Sequence, residues 1–550
     1  MDHSRVSRSA AIDALVVAIV VALSIVPYVF GLGFYSDDWA IFGEFHRAAA
    51  AGELGPSLAV AQFAARPVHG LYAAGLFGLF GLDPLGYHLV NAGVLASAVA
   101  LFHLLLVRLG VSRRDAFVSA VILIILPQLS TIRAWIAASQ IPLSMLFALA
   151  SLHAQLSFVR TGRALAAIAA LAFAALSLAA YETFAPLIGA FPIALALAGR
   201  SRTHDAEWRR TRLAAAAVAV LLVLAIVAKL FLSDRGRPVT APGVYLRAAI
   251  DLVRPDFDWR KEYGLNVFAA AQVHFWEVVK GWAKGLSALF EGRLTALAVA
   301  CSAGGAALAW WRLRSSTKAG EAGLAPVHLL AIGVAAFILG HATYVLVPAV
   351  MFAPTGLGNR SLVAAAPGVA MMFAAMLAWI ARAGRIGPAV HGAAVALLAF
   401  AGTLRIAEIE GYWVEAGDAQ QKVLAAAKRD LATLASGSTV LLDGVCPYWG
   451  PGVVFETWWD TGPALTLALG RPVEADVVSE RARLRPDGFE ASIYGDVRVY
   501  PYGPRLFAWH PSSHSLIRLP DENAARAYFR RPGRWPTPCR SAGPGQGMLI

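Results

Sequence analysis

The sequence predicts a polytopic α-helical membrane protein with a small C-terminal α/β domain, and three observations carry that reading. Hydrophobic side chains make up 58% of the 550 residues and charged ones only 15%, against about 25% charged in ordinary soluble domains. The apolar residues fall in blocks long enough to cross a hydrocarbon core of about 30 Å, which takes roughly 20 helical residues. Much of the excess behind the formal charge of +12 sits in short segments between those blocks, where cytoplasmic loops carry their arginines and lysines. That placement argues against a nucleic-acid surface. An ordinary soluble enzyme and a disordered chain are both excluded.

Taken in order, the blocks at 11–31, 85–107, 116–130, 137–158, 164–181, 184–199, 213–232, 294–311, 326–348, 361–381 and 387–404 read as eleven spans. Arg5 and Arg8 precede the first block. It is too long for a signal-peptide core and has no small-residue cleavage site, so it is expected to stay as a span with the N-terminus in the cytoplasm. Every second connection is then basic: Arg108, Arg113 and Arg114; Arg160 and Arg163; Arg200, Arg202, Arg209, Arg210 and Arg212; Arg312, Arg314 and Lys318; Arg382 and Arg385. The apolar run 67–81 would invert this pattern if it crossed. Short, glycine-rich and flanked by Pro67 and Asp83-Pro84, it reads as a helix lying at the outer interface.

The membrane domain is therefore expected over 1–404, with outer loops at 32–84 and 233–293, and a separate domain over 405–550. The loop 233–293 mixes charge with Trp259, Trp276 and Trp282, as amphipathic helices on a membrane surface do. The tail has ordinary polarity: a helix at 414–435, a buried strand at 439–445, a helix at 453–469, and a hairpin of 506–510 and 515–519 around Pro511-Ser512-Ser513-His514. An oxidising compartment outside the membrane would let Cys446 and Cys539 pair, the alternative being two free thiols. Cys301, in mid-span, reads as a small packing residue. No Cys/His cluster suggests zinc.

The stretch with most chemical content is Phe34-Tyr35-Ser36-Asp37-Asp38-Trp39, directly after the first span. Two adjacent carboxylates at a membrane surface face desolvation and mutual repulsion. The bland account is that Ser36 or Asp37 caps a surface helix from about 39 to 50. Arginines that the charge rule does not place outside supply the context: Arg66, before Pro67; Arg360, in Gly358-Asn359-Arg360; and Arg133, after the third span. A guanidinium suits phosphate oxygens and stays charged near lipid, and snorkelling to headgroups is its structural alternative. Glu182 sits in the turn between the fifth and sixth spans, placed either to pair with an outer arginine or to bind substrate. His88 and Asn91 share a helix face at the outer end of the second span. They suit interhelical hydrogen bonding, or for His88 an orienting role towards the first loop.

Read in series, Ser36-Asp37-Asp38-Trp39, Ala65-Arg66-Pro67, Asp83-Pro84, Tyr87-His88-Leu89-Val90-Asn91, Ala134-Trp135-Ile136 and Tyr181-Glu182-Thr183 resemble the GT-C superfamily of polyprenyl-phosphate-sugar-dependent membrane glycosyltransferases. The bacterial relatives of the protein O-mannosyltransferases and of the tetratricopeptide-containing O-mannosyltransferases are the nearest in pattern, although no tetratricopeptide repeat is present. The resemblance covers about the first 190 residues. It implies a GT-C-like fold with interfacial helices in the first outer loop, and a catalytic carboxylate at Asp37 or Asp38, with Asp37 favoured. Donor-phosphate contacts would fall to Arg66 and Arg360; Glu182, Arg133 and His88 are candidate substrate-binding residues by their own placement. A divalent metal at Asp37 and Asp38 is optional in the superfamily. The chain departs from the pattern at Gln128-Leu129-Ser130-Thr131, where some members carry an acid, and at Tyr181, where many carry lysine.

The resulting expectation is an inverting enzyme of the bacterial inner membrane, with its tail domain in the periplasm. It would move a monosaccharide from a polyprenyl-phosphate donor to an envelope glycan, lipid or protein. A flippase of lipid-linked sugars and a non-catalytic scaffold are the rivals. Acids at the outer rim rather than at mid-membrane, and the lack of a repeat, count against the transporter.

Overall fold

The structure is a computed structural model that describes residues 8–53, 61–199, 205–233, 269–315, 323–345, 352–383, 386–493 and 496–530. Fourteen helices of eight or more residues precede the tail sheet among these residues: α1 (Arg8–Ile25), α2 (Asp37–Ala50), α3 (Pro67–Phe80), α4 (Pro84–Arg108), α5 (Arg113–Ile124), α6 (Gln140–Thr161), α7 (Ala164–Ala180), α8 (Ala185–Gly199), α9 (Asp205–Ser233), α10 (Glu277–Ser287), α11 (Ala296–Ser315), α12 (Pro326–Val345), α13 (Ala366–Ala381) and α14 (Gly387–Asp430). Long apolar runs take this form because hydrocarbon offers no partner for backbone N–H and C=O, which a helix satisfies internally. Seven helices among the described residues are long and apolar enough to cross a membrane. They are α1, α4, α6 with its lead-in, α9, α11, α12 and α14.

An eighth span arises if α5 is joined to the turns at Pro127–Ala134, across a bend of 62°. The block read as one straight span over 116–130 is thus broken. Pro127 lacks an N–H and restricts Leu126 to extended backbone, so the helix stops at Ile124. The spans expected at 164–181, 184–199 and 361–381 are helices of 17, 15 and 16 residues. At about 1.5 Å per residue these are short for a full crossing. Among the described residues, length and apolarity alone therefore single out seven or eight spans. The run at 67–81 is another short apolar helix, α3.

At the end of the bundle away from the tail domain, buried Asp13 of α1 takes Arg113 Nη2 at 2.8 Å and the guanidinium of Arg312. One carboxylate so ties α1, α5 and α11, the pairing a buried charge requires.

The helix of the last span does not stop at 404. α14 runs 44 residues without interruption to Asp430, absorbing the helix expected at 414–435. The polar stretch that interrupts the hydropathy contains Arg405 and Glu408, which pair at 2.7 Å along the same helix. It marks a change of surroundings while the helix continues. Beyond it lies the expected small α/β domain. β1 (Thr439–Leu442) is central in a four-stranded sheet of order β4-β1-β8-β9, parallel to β4 (Glu474–Val477) and β8 (Leu506–His510). β9 (Ser515–Arg518) closes the predicted hairpin antiparallel to β8. α15 (Trp458–Leu469) begins five residues later than expected, at a capping box of Thr457 and Asp460. β2 (Tyr448–Trp449) and β3 (Gly452–Val453) form a small ribbon, β5 (Arg483–Leu484), β6 (Gly488–Ile493) and β7 (Asp496–Pro501) a second sheet, and α16 (Glu522–Phe529) ends the described chain.

Cys446 is disulfide-bonded, while Cys539 lies outside the described residues, as does Trp259. Cys301 is a buried free thiol. Trp276 is exposed at the end of the π-helical turn Gln272–Trp276 that leads into α10, but Trp282 of α10 is buried and donates from Nε1 to Ile125 O at 3.1 Å, plugging the broken end of α5.

Candidate active site

The acidic pair opens α2, and its geometry is set one residue earlier. Ser36 has φ +47°, a left-handed value rare for a residue with a side chain. Its hydroxyl does not cap the helix; it donates to Glu456 Oε1 of the tail domain at 2.5 Å. Tyr448 donates to the other oxygen, Oε2, at 2.6 Å. Tyr35 is pinned in the same way, its hydroxyl donating to Trp413 O of α14 at 2.7 Å. The first loop is therefore fastened to the tail domain and to the helix that carries it.

This fixes the helix phase so that the two aspartates part company. Asp38 is fully buried. Its Oδ2 accepts from Tyr35 N at 2.9 Å and Ile136 N at 3.3 Å, and its Oδ1 from Ala137 N at 2.6 Å. Burial raises its pKa well above the ordinary carboxylate range, and the three N–H groups only partly offset this. Asp37 is partly exposed. The expected capping of α2 by Ser36 is replaced by this inward carboxylate.

The segment that Asp38 grips, between the break in α5 and the start of α6, also gathers the other loops. Arg66 reaches it through Nη1 to Gln140 Oε1 at 3.3 Å, and pairs with Glu182 through Nη2 at 3.2 Å. Its guanidinium also lies over the Tyr181 ring, 4.4 Å from the centroid. Arg360 lies over the buried Trp135 ring at 5.0 Å. The loop that carries Arg360 is anchored by Thr131 Oγ1 donating to Gly356 O at 2.6 Å and by Asn359 Nδ2 donating to Ser130 Oγ at 2.9 Å. Gly356 occupies φ +76°, where a side chain would strain the turn. Asp38, Arg66, Glu182 and Arg360 are thus joined, directly or through one partner, to the stretch 135–140.

Two predicted residues serve the scaffold more than the cluster. Arg133 is buried, donating to Ser24 Oγ at 2.8 Å and Ile124 O at 2.6 Å, so it faces helices rather than headgroups. His88 Nε2 lies 3.0 Å from the carbonyl oxygen of Gly33, to which it can only donate, and so meets the first loop. Sequence reasoning missed Glu456 and gave Trp135 no role beyond its place in the resembling series. The donor set does not suit a chelated divalent ion: Asp38 turns both oxygens to backbone N–H groups. Among the described residues no three His, Cys, Asp or Glu side chains gather as ligands.

Fold and site define a multi-pass helical membrane protein whose loops, at the end carrying the α/β domain, hold a carboxylate and arginine cluster. No protein-family model matches the chain, and no curated protein does. Among solved structures, the crystal structure of ArnT from Cupriavidus metallidurans bound to undecaprenyl phosphate is similar over 85% of this chain and 86% of that one, at 14% identity and a TM-score of 0.38. That likeness is too slight to carry a residue or an activity across.

Proposed function

We propose that this protein is an inverting membrane glycosyltransferase, moving a monosaccharide from a polyprenyl-phosphate donor to a cell-envelope acceptor at the periplasmic face of the inner membrane. One observation carries the reading: a partly exposed Asp37 stands beside a buried, fully bonded Asp38, and Arg66 and Arg360 attach to the segment that Asp38 grips. Asp37 is the base. It takes the proton from the acceptor hydroxyl as that oxygen bonds to the anomeric carbon and the bond to the phosphate oxygen breaks. Arg66 and Arg360 stabilise the charge growing on the departing polyprenyl phosphate. Asp38 positions the base and the phosphate-binding segment together. One displacement by one base inverts the anomeric centre.

The test compares envelope polymers and lipids by mass spectrometry with and without the protein, and with Asp37→Asn in its place. Loss of one sugar mass from a defined acceptor, in the deletion and in the variant alike, supports the reading. A variant that keeps the modification removes Asp37 as base. Loss of lipid-linked sugar translocation, with transfer intact, assigns a flippase instead.

A further inference from the structure

Among the described residues, β7 is the outer strand of the sheet β5-β6-β7. The register decides which of its backbone groups are free. Arg485 N donates to Gly488 O at 2.9 Å, so Gly488 turns its polar groups towards β5 and away from Pro501, its partner on β7. These groups alternate in direction along a strand. Asp496, Arg498 and Tyr500 therefore bond across to β6, and Val497, Val499 and Pro501 point outward. The proline fits that assignment, since its nitrogen cannot donate and prolines in sheets sit with that side unpartnered. The valine side chains are also exposed, at 54% and 37%. Natural edges are often blunted by charged side chains, proline or a bulge; between the two valines stands only Arg498, and its guanidinium lies over the Trp458 ring, 3.3 Å from the centroid.

A cleft of about 570 Å³ runs beside this edge, lined in part by Thr439, Glu474, Arg498, Val499, Tyr500 and Arg505. Its charged lining is two arginines against one glutamate; Glu474 already accepts from Thr439 Oγ1 at 3.2 Å, and Arg498 lies over the Trp458 ring with its Nε 4.0 Å from Asp496. We propose that the outward edge of β7 is a strand-addition site for a partner polypeptide. The partner lays an extended segment along 497–501, with apolar residues at the alternate positions that meet the valines and acidic ones towards Arg498 and Arg505. Main-chain hydrogen bonds supply the affinity and the alternate side chains the selectivity. This docking is independent of the transfer reaction.

The test is amide hydrogen exchange on the full chain in detergent micelles, with an end-blocked octapeptide alternating valine and glutamate as probe. At about ten times its dissociation constant the peptide slows exchange at Val497 and Val499 about tenfold, because only about one site in ten stays free. Asp496, Arg498 and Tyr500 are unchanged. The same peptide N-methylated at alternate residues gives no slowing. Val499→Pro removes an outward donor without touching a bond to β6 and loses the effect, while Val499→Thr keeps it. No slowing at millimolar peptide, or slowing that survives N-methylation, overturns the proposal. So does protection of both valines without peptide that grows with protein concentration, which gives the edge to a second copy of the chain.

Discussion

Replacing Asp38 by alanine should unfasten the first loop from the segment at 135–140. The carboxylate accepts from three backbone N–H groups, those of Tyr35, Ile136 and Ala137, in a site with no solvent exposure. Each buried donor left without an acceptor costs about 1–3 kcal/mol. Three donors at the low end give about 3 kcal/mol, since a loop can relax and admit water. That is a factor of about 150 in the local opening equilibrium. Amide exchange of Ile136 and Ala137, followed on the full chain in micelles, reads this directly and should accelerate by about two orders of magnitude. Asp38→Asn keeps one oxygen for these donors and should fall between. If both amides in Asp38→Ala exchange within about threefold of the parent, a difference of less than 1 kcal/mol, Asp38 does not hold this segment. The site would then lose its organising residue.

Asp37→Asn should cut sugar transfer by about two to four orders of magnitude while exchange at Ile136 and Ala137 stays at the parental rate. An equal change in both measurements would make Asp37 structural. Glu456→Ala removes the acceptor for Ser36 and should raise exchange across 35–38, with Glu456→Gln milder because an amide oxygen still accepts. In a double-mutant cycle, Arg66→Gln and Glu182→Gln should couple by no more than about 1 kcal/mol, because the two side chains are 30% and 27% exposed and the pair is screened. In the tail domain, burial raises the Asp476 pKa from 3.8 to about 6, against a bond from Tyr500. An acid raised on folding loses stability as pH climbs from its unfolded to its folded value. Between those two pH values the parent should therefore fall relative to Asp476→Asn by at most about 3 kcal/mol, measured by pulse proteolysis of the domain.

Sequence reasoning reached the residues whose chemistry is local and missed those whose meaning depends on chain direction. The acidic pair, Arg66, Glu182 and Arg360 stand out in the sequence because each is costly beside hydrocarbon. The pair's division of labour was not legible. It follows from Ser36 at φ +47°, which sets the phase of α2, and no propensity predicts that value at a serine. The break before Pro127 was legible in principle, because the proline signals a stop. Apolar residues on both sides masked it, since hydropathy does not distinguish a straight span from a bent one. The continuity of α14 was hidden in the opposite way, by a polar interruption that breaks the hydropathy and leaves the helix whole.

Glu456 shows where local reading stops. It lies 420 residues from Ser36, in a tail whose composition marks it as a separate domain, and nothing near it in the chain asks for a carboxylate. Its burial does ask for one with partners. Both oxygens are taken by hydroxyls, and Glu456 N donates to the neighbouring Asp460 at 2.8 Å. That neighbour is itself held well above the ordinary carboxylate range by burial and by the Glu456 charge. Two buried acids this close are an expensive way to start a helix, because a capping box needs only one of them. The second is spent on Ser36, and Ser36 sets the turn that aims Asp37. The tail domain thus completes the first loop as well as adjoining it. A chain cut after α14 should keep its spans and lose the orientation of its acidic pair.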